Sequence, residues 1–484
     1  MDANNKTDWL GAEEVDASFR RVVVGFWAPA FFWLLVSAVL GFVLSVKLYK
    51  PDFLTTFFGY PVGWLSYGRL FEVWQAVTVY GWAGSMVLGG GIWMMGRMAG
   101  KALSNRLTVG ASAWLWHLGL GVGVWLVLVG GVRDLSLLGL PRQGLAMVWI
   151  AAVLWSWSVL KLLRQGKKEF IAQWYGLGAA LCLVWILTTV LFFMGRPVSG
   201  VVEGLLIHWA KQSLVNLFLV PMAIAMAYYL VPVIVKKRLP LYSLAAVGFW
   251  SWFFFASWSG AHGLTGAPLP LWLSTLGMTS SVLLLVPIVV VALNLLGSLQ
   301  NDPEAMIESW VLRFVAMGLA FLFFGGLAHM VEGISNWSGV LSLTYFSLGE
   351  MTVWVMGFVT LVSLGAFYYG LPYLLRRKPF EEKGVRVHFW SIVYGTATWV
   401  VLLLVAGIVQ GKTIANHELT FNQVIESGLP YARGRVIATL FLLIAWGVVF
   451  LNVMKWLGMN GFRICSKKGE DEKQVVMEAQ GEAV

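Results

Sequence analysis

Apolar runs of about 20 residues, the length that crosses a bilayer as a helix, recur along nearly all of this 484-residue chain. Only helices and closed barrels satisfy their backbone groups in lipid, and barrel strands alternate over about ten residues. We therefore predict an all-α polytopic membrane bundle of about twelve helices. The predicted spans are 22–46, 73–96, 109–131, 145–163, 170–194, 205–234, 242–264, 271–296, 310–331, 346–375, 387–409 and 436–457.

The charge balance fits a membrane protein and sets its predicted orientation. Hydrophobic residues make up 59% of the sequence and charged residues only 12%, whereas charged residues are about a quarter of a soluble domain. Most of the 34 Lys and Arg fall on the N-terminal side of the membrane, as Lys236, Lys237 and Arg238 do. Because basic residues concentrate in cytoplasmic loops, both termini are predicted to be cytoplasmic. This topology accounts for the net charge of +10, so no nucleic-acid partner is expected.

Three regions follow from this pattern. Residues 1–21 are polar and acidic, which predicts a cytoplasmic N-terminal segment without a cleavable signal peptide. Residues 22–460 form the membrane domain, whose longest outer loop is predicted at about 410–430. Residues 461–484 predict a charged, disordered cytoplasmic tail. A disulfide between Cys182, inside a span, and Cys465, on the cytoplasmic side, is not expected.

Several stretches resemble subunit I of the heme-copper oxidase superfamily, nearest to its C-type (cbb3-type) branch and the related nitric oxide reductases. "KPDFLTTFFGYPVGWLSYGRL" (50–70) resembles the loop before the family's second helix, and "MAYYLVP" (226–232) resembles the end of its sixth. "FWSWFFFASWSGAHGLTGAPLPLWLSTLGM" (249–278) resembles helix seven and the entry to helix eight. "VRVHFWSIVYGTATWVVLLLVAGIVQG" (385–411) and "VIESGLPYARGRV" (424–436) resemble helix eleven and the approach to helix twelve. The resemblance implies a subunit I-like bundle in a bacterial inner membrane.

The resemblance also implies where metal ligands would stand. The family holds heme b and copper through six histidines, whose imidazoles are the usual ligands for these metals, and this chain has six histidines in all. Of these ligand positions only His262, at the copper site, holds a histidine. The others hold Trp74 and Thr352 at the low-spin heme, Glu350 at the high-spin heme, and Gln212 and Gly263 at copper. No heme or copper is therefore predicted to bind.

Several of these positions allow two interpretations. His262 either keeps a weak single-imidazole metal site or hydrogen-bonds a carbonyl near the outer surface. His208 and Gln212 share a helix face at i and i+4. Lys211 beside them either snorkels to the headgroups or joins a polar cavity at the former copper site. Arg435 matches an arginine that the family places near heme propionates, or is a cation at the mouth of a helix.

Glu350 is predicted to face the interior of helix ten, where a carboxylate is costly unless it is paired or protonated. The family brings helices six, seven and ten together, so Lys211 or His262 is the expected partner. Such a pair either stabilises the core or handles protons. Trp74 and Trp354 are expected to fill volume that porphyrins would otherwise occupy, since an unfilled core would lose stability.

Three functions fit these features. The preferred one is a noncatalytic, oxidase-like subunit of a respiratory electron-transfer complex, with other membrane subunits and c-type cytochromes as partners. The second is an active oxidase or nitric oxide reductase with unusual ligation, which would need imidazoles that the chain lacks. The third is a transporter of protons, ions or small molecules that uses a polar interior around Lys211, His262 and Glu350.

Overall fold

A computed structural model describes residues 3–57, 60–131, 136–166, 170–196, 200–264, 266–300 and 303–458. Within these residues, ten helices are long and apolar enough to cross a membrane. Two further long helices, at 67–99 and Tyr242–Ser259, occupy the second and seventh predicted spans. The all-α polytopic bundle is confirmed, with about twelve helices. The predicted tail at 461–484 lies outside the described residues.

The long helices are numbered here in chain order. Helix 1 is Ala3–Lys47, and helix 2 joins Tyr67–Ala76, Val77–Gly84 and Ser85–Ala99. The others are helix 3 (Arg106–Val129), helix 4 (Arg142–Gln165), helix 5 (Ile171–Met194), helix 6 (Gly200–Val235), helix 7 (Tyr242–Ser259), helix 8 (Leu271–Gln300), helix 9 (Trp310–Gly333), helix 10 (Tyr345–Leu375), helix 11 (Glu382–Ala415) and helix 12 (Phe421–Trp456).

Short elements connect some of the long helices. Two short α-helices flank helix 9, at Pro303–Glu308 and Ser335–Leu341, and 3-10 turns lie at Gly63–Leu65 and Gly260–Leu264. Two antiparallel hairpins pair β1 (Thr56–Phe57) with β2 (Tyr60–Pro61), and β3 (Ser136–Leu137) with β4 (Leu140–Pro141). The Gly260–Leu264 turn, directly after helix 7, carries His262.

Helices 2, 6 and 10 form the centre of the bundle. In helices 6 and 10 the most apolar stretch is 83% and 94% buried, against 33% to 56% in the other eight apolar spans among the described residues. Every residue from Val77 to Gly96 of helix 2 is buried as well. The peripheral helices instead expose large apolar side chains such as Leu107 and Trp114, as expected of surfaces that face lipid.

Each central helix contains a π-helical segment, at Val77–Gly84, Leu214–Leu219 and Val353–Val359. A π turn displaces backbone carbonyls from the regular ladder, and an unpaired carbonyl in lipid is costly. Side chains add hydrogen bonds to such carbonyls. Trp116 Nε1 and Ser85 Oγ donate to the Tyr80 carbonyl, at 2.9 and 3.1 Å. Thr360 Oγ1 donates to Val355 O at 2.8 Å.

Helix 12 begins well before its predicted start at residue 436. It starts at Phe421, where a capping box joins Thr420 and Gln423, and helix 11 continues to Ala415. The prediction of a loop over 410–430 is therefore wrong, since only residues 416–420 separate the two helices. Residues 421–435 are too polar for a hydropathy pattern to include them, but reciprocal side-chain caps start the helix there.

Helix 1 and the last residue of helix 12 both contact residues 374–378, at one end of the bundle. Arg20 Nε donates to Leu374 O at 2.5 Å, so helix 1 is fixed beside the end of helix 10. Trp456, the last residue of helix 12, donates its indole N–H to Lys378 O at 2.8 Å. The opposite end carries the Gly260–Leu264 turn and the 416–420 connection, and the candidate site lies towards that end.

Candidate functional site

Glu350 anchors a buried polar cluster where helices 9 and 10 meet the Gly260–Leu264 turn. Helix 10 begins at Tyr345, after Thr344, whose hydroxyl accepts from Phe346 N at 3.2 Å. Glu350 follows five residues later, just before the π-helical segment, and its side chain is fully buried. Oε1 accepts from the Trp354 indole N–H and lies 2.9 Å from His329 Nδ1. One carboxylate oxygen of Glu350 thus orients the rings of both His329 and Trp354.

His262 borders this pair. Its imidazole is fully buried and lies perpendicular to that of His329, with ring centroids 5.0 Å apart. Nδ1 contacts the Ser259 carbonyl and lies 2.9 Å from Ser281 Oγ, while Ser338 Oγ donates to the His262 carbonyl at 2.9 Å. The ring is therefore held from helices 7 and 8, and the His262 backbone is held from Ser335–Leu341. It does hydrogen-bond a carbonyl, but in the interior rather than near the surface.

A second buried carboxylate belongs to the same region. Glu332 lies three residues after His329 on helix 9, is 2% exposed, and accepts a hydrogen bond from Ser347 Oγ. Ser347 is one turn before Glu350 on helix 10. Glu332 Oε2, Glu350 Oε2 and His329 Nε2 have no hydrogen-bond partner in the part of the chain that is described. Since a buried charge without a partner is costly, this cluster is suited to holding protons.

His208 and Gln212 both face the turn after helix 7. A Cβ built on Gly260 would lie 3.0 Å from Gln212 Cβ, and one built on Gly263 would collide with the His208 imidazole. The His208 imidazole, from helix 6, thus occupies the space that a side chain at position 263 would take. Three imidazoles (His208, His262 and His329) gather near Glu350. Even so, no group of three or more His, Cys, Asp or Glu in the described ranges is arranged to hold a metal ion.

The expected partners of Glu350 were Lys211 and His262, and the structure places His329 there instead. Lys211 makes no ion pair with Glu350 within the described ranges. His262 is directed at Ser259 and Ser281 rather than at the carboxylate. His329 is the member of the cluster that sequence reasoning missed. The available signal was His329 and Glu332 at i and i+3, two ionisable groups on one face of an apolar helix.

Trp74 and Thr352 face each other between helices 2 and 10. They line a cavity of only about 20 Å³, and Trp74 also borders one of about 10 Å³ beside Trp399 and Trp446. The Trp74 and Trp399 ring centroids are 5.7 Å apart. Because one water needs about 10–15 Å³, aromatic side chains fill this region almost completely.

The sequence of this chain is similar to proteins of one family. Residues 21–458 match the family described as Cytochrome C and Quinol oxidase polypeptide I. A cytochrome c oxidase subunit 1 homolog of Azorhizobium caulinodans is 25% identical, with 88% of this chain and 80% of that protein covered. The cbb3-type cytochrome c oxidase subunit CcoN1 of Stutzerimonas stutzeri is also 25% identical, with 81% and 84% covered.

The fold is similar to that of a solved oxidase. A heme-copper terminal oxidase dimer determined by cryo-electron microscopy superposes with a TM-score of 0.75, covering 94% of this chain and 85% of that chain. At 15% sequence identity, this similarity concerns the fold alone.

Proposed function

Because the chain belongs to the Cytochrome C and Quinol oxidase polypeptide I family, we propose that it is a subunit I-like membrane protein that binds neither heme nor copper. In this proposal it is a noncatalytic subunit of a respiratory electron-transfer complex in a bacterial inner membrane, with both termini cytoplasmic. Other membrane subunits and c-type cytochromes are its proposed partners. The observation that carries the proposal is the replacement of five of the six ligand positions.

The low-spin heme position does not fit a porphyrin. Trp74 offers only an N–H donor, which cannot ligate iron, and Thr352 opposite it offers a hydroxyl. The cavity that both residues line is about 20 Å³, room for one water. A porphyrin there would require the aromatic side chains of helices 2, 11 and 12 to move out of a packed core.

The high-spin heme and copper positions do not fit their metals either. Glu350 is engaged by His329 and Trp354, so the side chain that would face iron already satisfies two core donors. Gln212 is an amide and Gly263 has no side chain, so His262 is the one imidazole at the copper-ligand positions. His208 and His329 lie nearby, but in the described part of the chain no three His, Cys, Asp or Glu side chains are arranged to hold a metal ion, and a single imidazole is a weak metal site. The chain's own residues therefore build a polar core in place of a redox centre.

Metal and heme analysis of the purified protein tests the proposal. The chain is isolated from its native membrane, and heme is measured by reduced-minus-oxidised spectra and copper by elemental analysis. An active cbb3-type oxidase prepared in parallel controls for losses. We expect far less than one heme and one copper per chain. Stoichiometric heme b or copper would overturn the proposal and favour an oxidase with unusual ligation.

Gentle solubilisation tests the subunit role. A tagged chain is purified in a mild detergent, and the co-purifying proteins are separated and stained for covalent heme. We expect c-type cytochromes to co-purify while the chain itself stays unstained. A chain that purifies alone after in-membrane cross-linking would contradict the subunit role.

A proton-handling function is the second candidate, because unpartnered carboxylate and imidazole atoms gather around Glu350 and Glu332. Glu350→Gln keeps a hydrogen-bonding side chain but cannot take up and release a proton. In liposomes with a pH-sensitive dye, a transporter would lose proton flux in this variant. A structural cluster predicts no flux in either protein. Measurable flux in the parent chain that Glu350→Gln abolishes would favour transport over the subunit role.

A further inference from the structure

Glu332 is a buried carboxyl group at the end of helix 9, and it belongs to the same cluster as a second one, Glu350. Glu332 is 2% exposed and Glu350 is fully buried. Both Glu350 and His329 interact electrostatically with Glu332. Further away, His262 adjoins His329, and His208 adjoins His262. Within the described ranges, no Lys or Arg lies at ion-pairing distance from either acid, and His329 is the one basic side chain that does.

One imidazole can balance the charge of only one of these two carboxyl groups. His329 Nδ1 lies 2.9 Å from Glu350 Oε1, which also accepts from the Trp354 indole N–H. Two ring nitrogens on one oxygen suit an ionised carboxylate, because that form has only acceptors. Glu332 receives no N–H donor from the described residues, and a second uncompensated negative charge in a buried cluster is costly. The charge balance therefore favours a carboxylate at Glu350 and a neutral acid at Glu332.

The contacts of the Ser347 hydroxyl favour the same assignment. Ser347 Oγ contacts Glu332 Oε1 and lies 2.8 Å from the Ser342 carbonyl oxygen. A hydroxyl carries one proton, and a carbonyl oxygen can only accept. When Ser347 donates to Ser342, its contact with Glu332 is a hydrogen bond only if Glu332 itself donates. A protonated Glu332 therefore satisfies both contacts at once, whereas a carboxylate competes with the Ser342 carbonyl for one proton.

Ser347 also lies between Glu332 and the end of the bundle that carries the 416–420 connection. Ser347 and Ser342 are both half-buried, and Leu343, which follows Ser342, is 93% exposed. Glu332 is thus one hydroxyl group away from a partly exposed surface. Glu350 has no such neighbour in the described part of the chain, since its Oε1 contacts only buried rings and its Oε2 has no partner there. The route for a proton to solvent is therefore shorter from Glu332 than from Glu350.

We propose that Glu332 is a proton-binding residue, which holds one proton at neutral pH while Glu350 stays ionised, and which exchanges this proton with solvent through Ser347. In the exchange, Glu332 gives its proton to Ser347 Oγ while Ser347 releases its own to water, which leaves a carboxylate, an intact hydroxyl and a hydronium ion. The proposal rests on the proposed function in one respect, since an iron ion at Glu350 would itself compensate that carboxylate. It also names Glu332 as the residue that carries the proton in the proton-handling candidate.

Infrared spectroscopy of the full chain in detergent at neutral pH tests the assignment. The carbonyl stretch of a protonated carboxylic acid lies apart from the amide and carboxylate bands, and exposed carboxyl groups are ionised at this pH. We expect one such band per chain, which shifts in heavy water because its proton exchanges. Glu332→Gln should remove the band, whereas Glu350→Gln and the exposed control Glu418→Gln should retain it. A parent chain without the band, or a band that survives in Glu332→Gln, would overturn the proposal.

Ser347→Ala tests the exchange route. Without the Ser347 hydroxyl, Glu332 loses its acceptor, so the band should move to a higher frequency and its exchange in heavy water should become several-fold slower. Ser391→Ala is the matched control, because among the described residues the Ser391 hydroxyl bonds only to Val387 O within helix 11. It should leave both the frequency and the exchange rate as in the parent chain. Unchanged exchange in Ser347→Ala would overturn the route through Ser347.

Thermal unfolding of Glu332→Gln gives an independent measurement. A neutral amide donates to Ser347 as the protonated acid does, so this variant should unfold near the midpoint of the parent chain. A midpoint as low as that of Glu350→Ala would show that position 332 needs a carboxylate, and would overturn the neutral acid. Heme is measured in the same samples. Stoichiometric heme with the band present refutes the proposed function alone, whereas heme-free protein without the band refutes this assignment alone.

Discussion

His329 and Glu350 face each other across helices 9 and 10, with imidazole Nδ1 2.9 Å from carboxylate Oε1 and both side chains fully buried. Trp354 donates to the same oxygen. The carboxylate oxygen is therefore the hydrogen-bond acceptor for two ring nitrogens that are buried away from solvent. This buried contact between His329 and Glu350 helps to hold helices 9 and 10 together.

Glu350→Ala should destabilise the protein clearly. The substitution leaves the His329 and Trp354 donors without an acceptor, and each unsatisfied buried group costs about 1–3 kcal/mol. Glu350→Gln keeps an acceptor oxygen and should lose much less. Thermal unfolding in one detergent, followed by tryptophan fluorescence, measures the difference. The control is Glu418→Ala, an exposed carboxylate between helices 11 and 12, and equal midpoints for Glu350→Ala and Glu418→Ala would refute a structural role.

Trp74→Ala should also lower stability, by about 3–5 kcal/mol, because it opens a cavity in a closely packed region. Trp74 is 8% exposed and packs on Phe71 and Trp399. Trp114→Ala is the matched control, since Trp114 is 81% exposed on helix 3. Chemical denaturation in mixed micelles compares the two variants. Similar loss in both would mean that the Trp74 ring does not fill the core as proposed.

Much of the fold follows from hydropathy, because every segment that crosses the lipid must be a long, apolar helix. Helix 5 was predicted at 170–194 and lies at Ile171–Met194, since its run is apolar from end to end. Helix 12 was predicted to start at 436 and starts at Phe421, since its first turns are polar and rest on caps. The π-helical segments have no pattern of their own in the sequence. Their carbonyls are bonded both by local side chains such as Ser85 and by distant ones such as Trp116.

The site was predictable only in part. The interior position of Glu350 follows from its place in an apolar span, and its fully buried side chain agrees. The partner of Glu350 could not be predicted from the sequence, because the resemblance points to helices six, seven and ten, where the family keeps its ligands. His329 comes from helix 9, which supplies no ligand in that family. A pairing between helices is decided by three-dimensional packing, so no spacing along the chain could have specified it.

Thr360→Val should weaken the contact between helices 2 and 10. Thr360 Oγ1 accepts from Trp82 Nε1 at 2.9 Å and donates to Val355 O at 2.8 Å, and valine has nearly the same shape without the hydroxyl. The buried Trp82 indole N–H loses its acceptor, at about 1–3 kcal/mol, while Val355 O keeps its bond from the backbone N–H of residue 360. Thr275→Val is the control, because among the described residues the exposed Thr275 hydroxyl bonds only to Leu271 O on its own helix. Differential scanning calorimetry should show a lower midpoint for Thr360→Val alone.

Asp16→Asn should release the start of helix 1 from the bundle. Asp16 is 7% exposed and accepts from Trp93 Nε1 and Arg97 Nε, both at 2.8 Å, while Arg97 stacks on Trp93 and Tyr373. The two side chains are 16% and 10% exposed, so loss of the charge should cost about 1.5–3 kcal/mol, the contribution of a hydrogen bond to a charged group. The expected result is faster cleavage of helix 1 near its start in limited proteolysis, together with a lower unfolding midpoint.

Glu13→Gln is the matched control for Asp16→Asn on the same helix. Glu13 lies 3.5 Å from Arg376, but both side chains are more than half exposed, and exposed ion pairs contribute about 0–1 kcal/mol. Its cleavage rate should stay near that of the parent chain. If both variants are cleaved equally fast, the buried pair does not anchor helix 1. Asp16→Glu, which keeps the charge but lengthens the side chain, should fall between the parent and Asp16→Asn, because the ion pair survives with poorer geometry.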